Sequence, residues 1–89
     1  MDIPQDAIAD LTRRLRRIEG QVRGVQQMVA DHRDCRDLVT QITAARKALD
    51  QVGFLLIANG LSWCATHPDE AAADGDSIAE FERMFLKLS

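Results

Sequence analysis

Residues 35–64 read CRDLVTQITAARKALDQVGFLLIANGLSWC, a run without proline that opens and closes on the chain's two cysteines. Leu38, Ile42, Ala45, Leu49, Val52, Leu56 and Asn59 recur in it at alternating steps of four and three. That is the spacing of one long helix with a coiled-coil-like seam. Cys35 and Cys64 are 29 residues apart. At ~100° per residue this is eight turns and about 20° more, so the two thiols point the same way; at ~1.5 Å per residue they stand about 43 Å apart. A chain with this helix intact cannot join its own thiols. Two copies packed antiparallel would set residue i opposite residue 99 − i, and each Cys35 against the partner's Cys64.

Upstream of this helix, Ile8, Leu11, Leu15, Ile18, Val22, Val25 and Val29 recur at helical spacing, which predicts a helix over about 5–30 with one apolar face. Pro4 suits its first turn. Asp31-His32-Arg33-Asp34 is the break, and Asp34 is a good N-cap for a second helix over 35–66. Pro68 disfavours helical geometry at His67 and ends it. Pro68 to Ala73 can form a short helical turn. Ser77-Ile-Ala-Glu80 reads as a capping box opening a third helix over 77–88, with Ile78, Phe81, Met84, Phe85 and Leu88 as its apolar stripe. The fold class is all-α, three helices in a single domain over 1–89. The chain has 89 residues, no Tyr and one Trp. A domain this small is readily stabilised by assembly. Met1-Asp-Ile-Pro lacks a signal pattern and no apolar run approaches membrane length, so a cytosolic protein with no membrane partner is expected.

Net charge is −3, unevenly spread. Residues 11–24 hold five Arg and one Glu, which leaves six basic and thirteen acidic residues elsewhere. Arg13, Arg14, Arg16, Arg17 and Arg23 fall mostly opposite the apolar face. A solvated helix face is the plain reading, but Arg to the exclusion of Lys suits bidentate phosphate contact and points to a polyanion. Gly20 and Gly24, inside the same helix, suggest close approach of a backbone or ligand. Arg46 lies on the cysteine side of the second helix, opposite the partner's Gly53 in the 99 − i register, where a missing side chain leaves room. A salt bridge to Asp50 and a DNA contact are both open to it.

Two cysteines in a reducing compartment are reactive or metal-binding more often than disulfide-bonded, although plain core thiols are also open. Cys35 sits at a helix N-terminus, where the helix field favours negative charge, and Cys64 at the opposite end. Cys35 is thus the candidate nucleophile and Cys64 the resolving thiol. His32 and His67 flank the cysteines, and 32 and 67 also sum to 99, so the register would gather two Cys and two His, a set that suits zinc. Two exposed histidines at helix ends are the alternative. No glycine-rich phosphate loop or Ser/His/Asp grouping is present, and no enzyme site is expected.

The segment RRLRRIEGQVRG at 13–24, followed by Cys35, by TQITAAR at 40–46 and by Ala48-Leu49, strongly resembles the copper-sensing operon repressor family (the CsoR/RcnR type). The resemblance covers about residues 8–65. It implies an all-helical repressor whose first two helices form an antiparallel four-helix bundle in each dimer, with two dimers per tetramer. It implies operator DNA as partner, held by Arg13, Arg14, Arg16, Arg17, Arg23 and Arg46, and a metal ion or small sulfur species as inducer. Copper sensors of this family use Cys, His and Cys; here Cys35 and Cys64 fill both Cys positions, but the His position falls at Gly60. Cys without His resembles the persulfide-sensing branch, in which the two thiols react across the dimer and no cofactor is required. Cu(I) or Zn, with His32 or His67 completing the ligand set, is the alternative, and a helical thiol or metal-buffering protein that never meets DNA is the reading outside the class. Glu80 sits near a family carboxylate linked to allosteric coupling.

Overall fold

The computed structural model describes residues 3–89; the reading of Met1 and Asp2 lies outside the described residues. Four helices follow one another: α1 (Gln5–Ala30), α2 (Cys35–Thr66), α3 (Pro68–Ala73) and α4 (Ile78–Leu88). The three expected helices are present, and the short helical segment expected over Pro68 to Ala73 forms as α3. Pro at its first position supplies a pre-set φ where no N–H partner is needed. α2 runs unbroken between the cysteines. Its N-cap is Asp34, whose Oδ1 accepts from the Arg36 N–H at 2.7 Å.

α1 and α2 form an antiparallel hairpin. The turn is a Schellman motif: the His32 N–H donates to the Val29 carbonyl and the Arg33 N–H to the Met28 carbonyl. His32 occupies the left-handed position of that motif, φ 56°. The end of α3 repeats the device with Gly75 at φ 75°, where glycine adopts the conformation without a Cβ clash.

The hairpin core is Leu11, Ile18 and Val52, with Ala48 and Leu55 packed against it. No large side chain is fully buried among the described residues, and the molecule measures 55 × 25 × 14 Å. A slab 14 Å thick is little more than one helix diameter. Each seam is split along its heptads. On α1, Leu11 and Ile18 face inward while Ile8, Leu15, Val22 and Val29 stay exposed; on α2, Val52 is inward while Ile42, Leu49 and Leu56 stay exposed. Half of each apolar stripe is spent on the hairpin, and the other half forms a bare apolar face.

α4 folds back along the C-terminal half of α2. Phe54 and Phe85 meet at 5.4 Å between ring centroids, and Phe81 is buried. The Leu88 side chain lies over Gly53, so close that a Cβ there would be 2.8 Å from its methyl carbons. The space expected at Gly53 for the partner's Arg46 is therefore filled from within the same chain. The Ser77 Oγ accepts from the Glu80 N–H at 3.3 Å, but the Glu80 carboxylate turns to Arg83. Only one arm of the expected capping box is formed.

One expectation about apolar length is corrected. By length and composition α2 is long and apolar enough to cross a bilayer. In the fold, Val52 on one side of it packs on α1, and Phe54 and Gly53 meet α4. Arg46, Lys47 and Asp50 stand at its middle.

Candidate functional site

The α1 arginines do not form one uniform stripe. Arg13 Nη2 donates to Asp10 Oδ1, and Arg14 Nε donates to Asp10 Oδ2 at 3.0 Å. Arg23 pairs with Glu19 at 3.1 Å. Arg16 and Arg17 are the two α1 arginines in no ion pair among the described residues. They line a shallow basic surface with Ala9, Thr12 and Arg13. Arg14 and Arg17 also border one groove of the hairpin with Gln21, Ala48 and Gln51. Asp10 lies one residue outside the Arg-rich window, so the count of charges within it misses the acid that holds two of its members. The Arg14 hydrogen bond holds the Asp10 carboxyl below the usual carboxylate range, against partial desolvation that pushes it up, with the Arg14 charge and Arg13 adding to the lowering.

Arg46 is placed apart from this surface. It lines the other groove of the hairpin with Val22, Val25, Ile42, Ala45 and Leu49, on the bare apolar face. It makes no ion pair with Asp50. Nothing lies within 4 Å of a Cβ built on Gly20 or Gly24, so the close approach expected there does not occur within the chain.

Both thiols are free, Cys35 exposed and Cys64 half-buried. Cys35 is the first residue of α2, midway in sequence between the partners of the Arg33–Asp37 ion pair. Cys64 borders an open cavity between α2, α3 and α4, whose lining includes Leu61, Pro68, Ala71, Ser77, Ile78 and Phe81. Glu80 is not among its lining residues and is engaged with Arg83.

The two histidines stand in different settings. His32 forms the hairpin turn. His67 stacks on Trp63, with ring centroids 5.0 Å apart and planes 11° from parallel. Its Nδ1 lies 2.9 Å from the Thr66 Oγ1 and 3.1 Å from the Trp63 carbonyl oxygen. Gly60, where the copper-sensor pattern has a His, is buried. Among the described residues no three His, Cys, Asp or Glu side chains gather to hold a metal. The gathering of two Cys and two His is not formed within one chain.

Comparison with known proteins agrees in sequence and in fold. A family model described as metal-sensitive transcriptional repressor matches residues 7–87. The chain is 44% identical over 68 residues to the copper-sensing transcriptional repressor RicR of Mycobacterium tuberculosis, covering 76% of this chain and 68% of that one. It is 35% identical over 79 residues to the copper-sensing transcriptional repressor CsoR of Bacillus subtilis, covering 89% and 78%. Among solved structures, the copper-sensing repressor CsoR with Cu(I) from Geobacillus thermodenitrificans superposes with a TM-score of 0.80 at 36% identity, covering 98% and 91%.

Proposed function

Because this chain belongs to the metal-sensitive transcriptional repressor family, a family of repressors and not of enzymes, we propose that it holds operator DNA on the basic face of α1 and releases it when an inducer joins Cys35 to a partner's Cys64. The observation that carries this reading is the placement of two free thiols at opposite ends of one unbroken helix. Such a pair can act together only between chains. The bare apolar face supports the same arrangement. A second hairpin laid against Ile8, Leu15, Val22, Ile42, Leu49 and Leu56 would complete a four-helix bundle, and two such dimers a homotetramer. A repressor of this kind works in the cytoplasm.

Cu(I) is the inducer that the names of the relatives favour. The residues fit it in part: two thiolates are soft ligands suited to Cu(I), and Cys35 and Cys64 are the side chains that would hold it. Ligation would draw the two chains together at the ends of the bundle. A coupling of about 1–3 kcal/mol between that state and DNA release is enough for regulation. Zn is less well served, since the His67 ring is stacked on Trp63 and no group of three His, Cys, Asp or Glu side chains gathers among the described residues.

A second reading rests on Gly60 and His67: with glycine at the imidazole position of the copper-sensor pattern and His67 stacked on Trp63, reactive sulfur is chemically sufficient. The Cys35 thiolate would attack the outer sulfur of a persulfide, R–S–SH, and expel R–S⁻, leaving Cys35–S–SH. The partner's Cys64 would then attack the inner sulfur and expel hydrosulfide, leaving a disulfide.

The test uses an operator duplex selected by the protein from a random DNA pool. The reduced protein is treated with Cu(I) or with polysulfide, then weighed intact and assayed for release. Release by Cu(I), abolished by Cys35→Ser without loss of DNA binding, is expected. Release by polysulfide alone, with loss of hydrogens across two chains, establishes the second reading. Release by neither overturns both, and failure to select any DNA leaves a thiol protein that does not bind operators.

A further inference from the structure

We propose that Asp10 limits the strength of DNA binding by holding Arg13 and Arg14, so that, with Arg23 paired to Glu19, α1 offers a duplex two unengaged guanidiniums where its sequence carries five. This rests on the reading that the α1 face binds DNA, and adds the residue that sets how tightly. Both Asp10 oxygens are used, one by each arginine. Glu19 holds Arg23 through a single contact between two well-exposed side chains, which is the weaker kind of pair. The Asp10 cluster differs in being two-pronged, with Asp10 and Arg14 partly covered along the helix surface while Arg13 is exposed.

A phosphate approaching Arg13 or Arg14 must displace the carboxylate or share the guanidinium with it, and in either case meets the repulsion of a full negative charge. Asp10 is held in its charged form by the Arg14 hydrogen bond and by Arg13, so the restraint is constant near neutral pH and does not act as a proton switch. Orienting the arginines is the opposing effect. Arg13 is well exposed and spans only three residues to Asp10, so it gains little order from the pair, and charge dominates.

The experiment measures binding of the full chain to random-sequence duplex DNA by fluorescence anisotropy across a potassium chloride series. The unmodified chain is compared with Asp10→Asn, with Asp10→Asn carrying Arg13→Ala and Arg14→Ala, and with Arg16→Ala plus Arg17→Ala. Removing a unit charge ~6 Å from a phosphate in water raises affinity about threefold for each protomer that touches the duplex. Asp10→Asn should show at least that gain, with a salt slope steeper by about 0.9 for each added phosphate contact. Adding the two alanines should cancel the gain. Unchanged or weaker binding by Asp10→Asn, with its helicity intact by circular dichroism, overturns the proposal while DNA binding by the unmodified chain stands. If the unmodified chain shows no salt-dependent binding and loss of Arg16 and Arg17 changes nothing, the DNA-binding reading fails and the role of Asp10 fails with it.

Discussion

Oxidation of the two thiols should give a covalent dimer and never a closed monomer. α2 is continuous from Cys35 to Thr66, which separates the thiol-bearing Cα atoms by about 43 Å. A disulfide needs Cα atoms about 4.4–6.8 Å apart. Closing that distance within one chain would unwind most of α2 and pull Val52 out of the core that it forms with Leu11 and Ile18. Diamide treatment of the reduced native protein should therefore yield, on a non-reducing gel, a species of twice the chain mass. Intact-mass measurement should find it four hydrogens lighter than two reduced chains, two for each Cys35–Cys64 bond. The antiparallel register sharpens the expectation. Cys35→Ser alone and Cys64→Ser alone should crosslink poorly, whereas an equimolar mixture of the two should form a single bond. A monomer two hydrogens lighter would refute the continuous helix as the governing geometry. A Cys35–Cys35 dimer forming in Cys64→Ser as readily as in the unmodified chain would refute the antiparallel register.

Other perturbations probe the turn, the α4 contact and the Asp10 pair. His32→Gly relieves a left-handed conformation at a side-chain-bearing residue and should stabilise the fold by about 1 kcal/mol in urea denaturation; a loss of stability would mean that the imidazole has a structural partner. Gly53→Leu should expel Leu88 and loosen the end of α4, accelerating tryptic cleavage at Arg83 and Lys87. Gly53→Ala should be mild, because the Leu88 methyls can rotate away and helix propensity improves by about 1 kcal/mol. Equal cleavage of the Gly53→Leu and unmodified proteins would show that α4 does not depend on this contact. The Asp10 carboxyl is lowered in the folded state, so its small stabilisation is present above its unfolded-state pKa and is lost as pH falls through the folded one. The melting temperatures of the unmodified chain and Asp10→Asn should differ at neutral pH and converge below the ordinary carboxylate range. A gap that persists in acid would assign the difference to something other than charge.

Much of the hairpin was legible because its signals are local. Heptad spacing marks α1 and α2, Asp34 marks the N-cap, and Pro68 marks the end of α2. The heptads did not say which half of each seam the chain would keep for itself. Leu49 and Val52 look alike in the sequence, and only packing on α1 separates the exposed one from the buried one. The α4 contact was hidden for a related reason. Gly53 reads as a vacancy, and its occupant, Leu88, comes from 35 residues further along the chain. At the candidate site, the separation of the two thiols along one helix followed from helical arithmetic, whereas the state of the arginines depended on an acid one turn upstream. The histidines were legible as potential ligands by residue type and by the 99 − i register; the fold places one in a left-handed turn and stacks the ring of the other on Trp63.

The seat of Leu88 on Gly53 gives α4 a mechanical reach. Its first turn, at Ile78 and Phe81, borders the cavity beside Cys64, and its last residue rests at the middle of α2. The helix between them is a stiff rod of 11 residues, about 16 Å long. An atom added at Cys64 that tilts the near end of this rod shifts its far end as well, about two turns of α2 from Arg46. A local change in volume at one thiol would in this way be felt at the centre of α2, through a helix that lies outside the α1–α2 hairpin.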